Sequence, residues 1–195
     1  MALSLIIGLT GASGIVYGLR LIQRIDLLKK KYARIYVIYS ENARKIARIE
    51  ENVDLESFLF NVNGLGGVFR SDDILSPLAS SSNTFSSDMV IVPASLNTVN
   101  KIAHGVQDNL VTRVACNILR TKNKLLIVLR ETPLSAIDLY NLYILAVNGA
   151  IIMPASPGFY NKPKNIDEII DFMIGKILDV LGIENNVYRR WSITE

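Results

Sequence analysis

Leu3-Ser4-Leu5-Ile6-Ile7-Gly8-Leu9-Thr10-Gly11-Ala12-Ser13-Gly14 is an apolar run that closes in a turn of small and hydroxylated residues. A run this short, rich in Leu and Ile, suits a strand covered on both faces. A helical pattern over residues 15–28 follows the turn directly. The same handover recurs along the chain. Apolar runs at 35–39, 89–92, 125–129 and 150–153 alternate with helical patterns at 41–49, 96–103, 110–119, 134–147 and 166–181, the last closed by Gly182 as a C-cap. Strand alternating with helix predicts a three-layer, doubly wound α/β sandwich around a parallel sheet, one domain over 1–195. In such a sheet the strands' carboxyl ends share one edge, and ligands bind there.

Composition narrows the function. The chain has 195 residues, half of them hydrophobic, and a formal charge of +3 spread along its length, with Lys29-Lys30-Lys31 as the only basic block. That is too diffuse for a nucleic-acid stripe. Cys116 is the single cysteine, which excludes a disulfide framework and a thiolate metal site and fits a reducing cytoplasm. The start of the chain carries no basic leader and no apolar stretch reaches membrane-spanning length, so a soluble cytoplasmic protein with no membrane partner is expected. His104 is the only histidine, which excludes Ser-His and Cys-His catalysis and His-rich metal sites. Asp72-Asp73 has no second acidic cluster to complete a magnesium-diphosphate site, so no metal is expected.

The strand ends carry the candidate chemistry. Gly8, Gly11 and Gly14 are three apart, unlike the dinucleotide fingerprint, and the second strand ends in Tyr39-Ser40 without a ribose-binding carboxylate, which disfavours NAD. The turn 11–14 still offers backbone N–H groups and the Ser13 hydroxyl at a helix N-terminus, suited to a phosphate or an electron-rich ring nitrogen, with Ser40 beside it. Small residues there also serve helix–sheet packing. In 93–98, Ser95, Asn97 and Thr98 exceed what one helix cap uses, and the surplus suits the edge of a heteroaromatic ring. Asp108 and Asn109 cap the next helix, whose Arg113 and Arg120 share a face that is either solvated or turned inward at Arg113. Arg130-Glu131 follows the most apolar strand. There an Arg forks onto phosphate oxygens and a Glu moves a proton, unless the two form a structural ion pair. Tyr160, in the loop after the last strand, offers a hydroxyl to a phosphate and a ring to an apolar pocket. Two segments stand apart. Ser-rich 76–87 is either a flexible connection or a lid, and the tail 183–195, with Tyr188-Arg189-Arg190-Trp191, either docks on a neighbouring subunit or closes over a site.

Five ordered segments, Thr10-Gly11-Ala12-Ser13-Gly14, Asp108-Asn109-Leu110, Arg130-Glu131-Thr132-Pro133-Leu134-Ser135, Pro157-Gly158-Phe159-Tyr160 and Arg190-Trp191, together resemble the flavin prenyltransferase (UbiX) family, formerly described as aromatic-acid decarboxylases. The resemblance covers essentially the whole chain. It implies a flavodoxin-like homododecamer that binds FMN at subunit junctions. The implied reaction joins a dimethylallyl group from dimethylallyl phosphate to N5 and C6 of reduced FMN, releasing phosphate without a metal. The product, prenylated FMN, passes to a separate decarboxylase. The family's flavin contacts fall on Gly11, Ala12, Ser13, Ser40, Ser95, Leu96, Asn97, Thr98 and Arg130. Its phosphate clamp falls on Arg113, Arg120, Arg130, Glu131, Tyr160 and Lys176, and its proton-handling residues on Ser13, Glu50 and Glu131. Lys176 stands where many relatives have Arg, Arg120 where they have Lys, and Ile74 where some have Trp. Charge is kept at the first two while the fork geometry is exchanged. Two other readings are an FMN-dependent decarboxylase of the peptidyl-cysteine type, which uses a catalytic His, and a non-enzymatic flavin carrier or accessory subunit.

Overall fold

The computed structural model describes residues 3–191. Its sheet has six parallel strands, β1 (Ser4–Leu9), β2 (Arg34–Tyr39), β3 (Gly67–Arg70), β4 (Ser87–Ala94), β5 (Leu125–Leu129) and β6 (Ile151–Pro154), in the order β3-β2-β1-β4-β5-β6. Winding reverses between β1 and β4, giving the doubly wound, flavodoxin-like fold. The helices are α1 (Ile15–Gln23), α2 (Ile25–Leu28), α3 (Glu41–Glu51), α4 (Leu55–Phe60), α5 (Ser81–Thr84), α6 (Leu96–Ala103), α7 (Leu110–Arg120), α8 (Ala136–Val147) and α9 (Ile166–Leu181). No helix among the described residues is long and apolar enough to cross a membrane.

The two-residue period of each strand divides the apolar side chains between two cores. Leu5, Ile7 and Leu9 of β1 pack with Ile15, Leu19 and Ile22 of α1 and with Ile174, Ile177 and Leu178 of α9 on one face. Ile6, Met89 and Ile91 meet Val99 of α6, Val114 and Ile118 of α7 and Leu145 of α8 on the other. Strands buried this completely cannot alternate apolar with polar residues, which is why they read as continuous runs.

Three elements, β3, α4 and the single-turn α5 within the Ser-rich segment, have no counterpart in the sequence reading. β3 is a four-residue edge strand whose side chains alternate between half-buried and exposed, so no apolar run announces it. α4 is six residues long and starts at an Asp54 cap, whose carboxylate accepts from Ser57 N. The pattern at 15–28 is two helices that meet at Arg24, and α8 begins at 136, two residues later than predicted, because Ser135 and Asp138 form a capping box. The Ser-rich segment is held down. Ser76 caps a 3₁₀ turn at Pro77–Ala79, and the Ala79 carbonyl accepts from Arg113 Nε at 2.8 Å and Asn117 Nδ2 at 3.2 Å, which seats the segment on α7.

Candidate functional site

The carboxyl ends of β1, β2, β4, β5 and β6 lie at one edge of the sheet. A cleft of about 250 Å³ opens there, where the winding reverses, lined by Thr10, Gly11, Ser40, Asn42, Ser71, Ser95, Asn97, Thr98, Asn109 and Val111.

Thr10 holds this cleft together. Its buried Oγ1 donates to the Pro93 carbonyl at 2.7 Å and accepts from Ser95 N at 2.9 Å, tying the end of β1 to the end of β4. The register of β4 against β5 shifts between Ile91 and Ala94, at a point where Pro93 brings no N–H to the ladder. Thr10→Val keeps the shape but leaves Ser95 N without its acceptor. It is expected to cost about 1–3 kcal/mol, as read by thermal melting, and to loosen the cleft. Gly11 is required by space, since a Cβ there would lie 2.5 Å from Asn42 Cβ. Ala12 behind it is buried, and Ser13 is exposed.

Helix caps use much of the hydroxyl inventory. Ser40 Oγ accepts from Ala43 N at 3.1 Å, and Ser95 Oγ accepts from Thr98 N at 3.4 Å while pairing with Thr98 Oγ1 at 3.1 Å. Asn109 Oδ1 accepts from Thr112 N at 3.1 Å. Asp108, expected to cap beside it, instead accepts from Asn109 Nδ2 and Lys101 Nζ. Leu96 packs half-buried on the α7 side, whereas Asn97 is exposed at the cleft and takes no part in the cap.

The N-terminus of α1 differs from its sequence reading as a phosphate cradle. Gly14, left-handed at φ 87°, contributes no capping side chain, and Glu50 of α3 supplies the acceptor instead. Its Oε2 accepts from Gly14 N at 2.8 Å and Ile15 N at 3.3 Å. A carboxylate therefore already occupies the positive end of the helix. This puts Glu50 one residue from Ser13, at the rim of the cleft.

Arg130 and Glu131 make separate bonds rather than pairing with each other. Arg130 Nε donates to the Ser13 carbonyl at 3.0 Å, and exposed Glu131 accepts from Thr132 N at 3.3 Å. A Cβ at Gly14 would touch both Arg130 and the Tyr17 ring, and Tyr17 packs onto the cluster of Phe172, Met173 and Tyr188. Tyr160 and Lys176 belong to that cluster. The Tyr160 ring meets Phe172 edge-on at 5.7 Å, and Lys176 Nζ lies 5.6 Å from the Phe172 ring and 5.3 Å from the Tyr188 ring. Arg130 thus ties the end of β5 to the turn before α1, the helix whose Tyr17 packs on the aromatic cluster.

Two predicted residues stay outside. Arg113 turns to the Ala79 carbonyl, and Arg120 Nη1 donates to Asn117 Oδ1 at 2.9 Å. Arg120 ends α7, roughly 16 Å of helix from Asn109 at the cleft. His104 sits at the far end of α6, with Nε2 3.0 Å from Asn141 Oδ1, so the cysteine-decarboxylase reading finds no histidine at the cleft. Asn42 and Ser71 join the cleft without having been expected there. Asn42 follows Ser40 by two positions, a usable signal, whereas Ser71 follows the edge strand that no apolar run announces.

The donor set fits a flavin mononucleotide: a polar cleft floored by a glycine, with hydroxyls and amides and no acidic side chain lining it. Comparison with known proteins agrees. The Flavoprotein family model matches residues 2–190. The chain is 43% identical to the flavin prenyltransferase UbiX of Saccharolobus solfataricus over 189 residues, 96% of this chain and 92% of that protein. It superposes with a TM-score of 0.90 on AnUbiX (PadA1), solved in complex with FMN and dimethylallyl pyrophosphate, at 29% identity over all of both chains. A dodecameric FMN-dependent UbiX-like decarboxylase from Escherichia coli O157:H7 gives a TM-score of 0.89 at 30% identity, covering 97% of this chain and all of that one.

Proposed function

We infer the activity from kinship: the chain belongs to the flavoprotein family and, within it, to the flavin prenyltransferases, and it transfers a dimethylallyl group from dimethylallyl phosphate to reduced FMN. At the level of geometry the reading is supported by the glycine-floored polar cleft where the winding reverses, lined by hydroxyls and amides. Ser40, Asn42, Ser95, Asn97 and Thr98 would hold the FMN phosphate and ribityl hydroxyls, with Gly11, Ala12, Ser13 and Leu96 bordering the ring. Reduced FMN would supply the electron-rich N5, which takes the allylic carbon as the C–O bond to phosphate breaks and the N5 proton is lost, and C6, which joins the far alkene carbon as the double bond takes up a proton at its middle carbon and C6 gives one up.

The chain's own residues do the rest. Arg130, Tyr160 and Lys176 bind the leaving phosphate, where fixed cations are worth most as charge develops. The Tyr160 ring gives the allylic carbons an apolar, electron-rich wall. Glu131, Glu50 and Ser13 handle the proton lost when the second bond forms. Arg113 bonds to the Ala79 carbonyl and Arg120 to Asn117, and neither lines the cleft of its own chain, so a clamp that uses them would be completed by another copy. An apolar face on α8 supports assembly: Ile137, Leu139, Tyr140, Tyr143 and Val147 are exposed together. A homododecamer working in the cytoplasm and supplying prenylated FMN to a separate decarboxylase is the assembly this reading favours.

Anaerobic incubation of the pure protein with reduced FMN and dimethylallyl phosphate, followed by mass spectrometry of the extracted flavin, tests it. The expected result is FMN heavier by one dimethylallyl unit. Unmodified FMN, with binding confirmed and the diphosphate donor equally inert, overturns the transferase in favour of a flavin carrier.

A further inference from the structure

Residues 185–190 are tied to α9 through the carboxylate of Asp179. Asp179 Oδ1 accepts from Arg190 Nη2 at 2.7 Å and from Asn185 Nδ2 at 2.9 Å, while Oδ2 accepts from Tyr188 Oη at 2.7 Å and from Arg190 Nη1 at 2.9 Å. Burial pushes the Asp179 carboxyl upward, but Arg190, Tyr188 and Asn185 outweigh it and hold the group below the usual carboxylate range, so it stays charged at neutral pH. The seat is shaped for this strap. A Cβ on Gly175 would come within 2.0 Å of the Tyr188 ring, so only glycine lets the tyrosine lie flat on the helix.

The result is a row of rings: Tyr188 on Phe172 at 5.1 Å, Phe172 on Tyr160 at 5.7 Å and Tyr160 on Trp191 at 5.3 Å, each pair edge-on. Trp191 nevertheless stays 68% exposed. The four hydrogen bonds on this carboxylate thus do two things: they seat the buried Tyr188 ring on Phe172 and Met173, and through Arg190 they fix the neighbouring Trp191, whose ring stays open. Burial of Tyr188 accounts for stability but not for the open face of Trp191, which beside Tyr160 offers an aromatic wall to a ligand tail.

We propose that Asp179 is a positioning residue for the prenyl phosphate: by clasping Arg190 and Tyr188 it sets Trp191 against Tyr160 as a wall for the allylic tail. This rests on the prenyltransferase reading. Trp191 is the only tryptophan, so its fluorescence reports the strap directly. Asp179→Asn is expected to lower the anisotropy of Trp191, to leave FMN affinity unchanged, and to raise the KM for dimethylallyl phosphate by about tenfold or more, a displaced binding wall acting mainly before chemistry. Trp191→Ala should reproduce the KM effect. If Asp179→Asn does not fold, Arg190→Gln breaks the clasp from its solvent side and carries the same expectation. An unchanged Trp191 anisotropy, or a lowered melting temperature with kcat and KM unaltered, overturns the proposal and leaves the strap a purely structural one. Failure of the parent reading looks different: the wild-type protein itself forms no prenylated flavin, and the proposal then falls with it.

Discussion

Glu131→Gln is expected to bind FMN as the parent protein does and to form prenylated flavin about 10²–10⁴-fold more slowly. The side chain is exposed, and its one hydrogen bond, from Thr132 N to Oε1, is one a glutamine oxygen also accepts, so fold and loop are preserved. Only the basicity is lost. Single-turnover mixing of the FMNH₂-loaded variant with dimethylallyl phosphate tests this, the expectation being that the C–N bond still forms while the proton loss at C6 stalls. Glu50→Gln is the necessary companion and should behave differently. Its carboxylate caps α1 through Gly14 N and Ile15 N, so the variant also loses charge at the positive end of a helix, worth about 0.3–1 kcal/mol. A slower Glu50→Gln with a lower melting temperature and a normal Glu131→Gln would move the proton to Glu50. Full activity in both variants would defeat the assignment.

The strand ends are legible because buried parallel strands need unbroken apolar runs; two of these stop just before a residue that lines the cleft, Leu9 before Thr10 and Tyr39 before Ser40, and a third, ending at Leu129, before Arg130, which bonds to the turn at Ser13. What sequence does not convey is which polar groups are already used. Ser40 and Ser95 read as ligand donors and serve first as helix caps, a local hydrogen bond that the spacing permits but does not require. Glu50 lies 36 residues from Gly14, and only the packing of α3 beside α1 brings its carboxylate to that helix. Thr10 reads as part of a turn, but its role depends on two backbone atoms more than 80 residues away. The Asp179 clasp is invisible for a related reason: an acid within an amphipathic helix reads as solvated until a tail folds back onto it.

The position of α1 gives the largest expected effect on stability. Gly18 is buried against β4, and a Cβ there would lie 2.6 Å from the Val92 carbonyl oxygen and 2.5 Å from Leu9 Cδ2. The backbone oxygen cannot yield as a side-chain tip can, so Gly18→Ala must lift the helix off the sheet. Alanine gains about 1 kcal/mol of helix propensity, and overpacking of a tight core costs about 1–3 kcal/mol or more. With a backbone atom as the obstacle the loss is expected to win by about 2 kcal/mol, lowering the melting temperature by about 4–8 °C. The same displacement reaches the site, because Val92 precedes the proline whose carbonyl Thr10 holds and because the Gly11–Gly14 turn feeds directly into α1, so FMN affinity should fall too. Gly105→Ala separates this from the general cost of replacing a glycine. Gly105 has φ 69° with nothing within 4 Å of where a Cβ would sit, so alanine there meets backbone strain alone, about 1 kcal/mol, and should leave FMN binding untouched. Equal losses in the two variants would mean that helix–sheet contact at Gly18 yields easily and does not set the geometry of the flavin cleft.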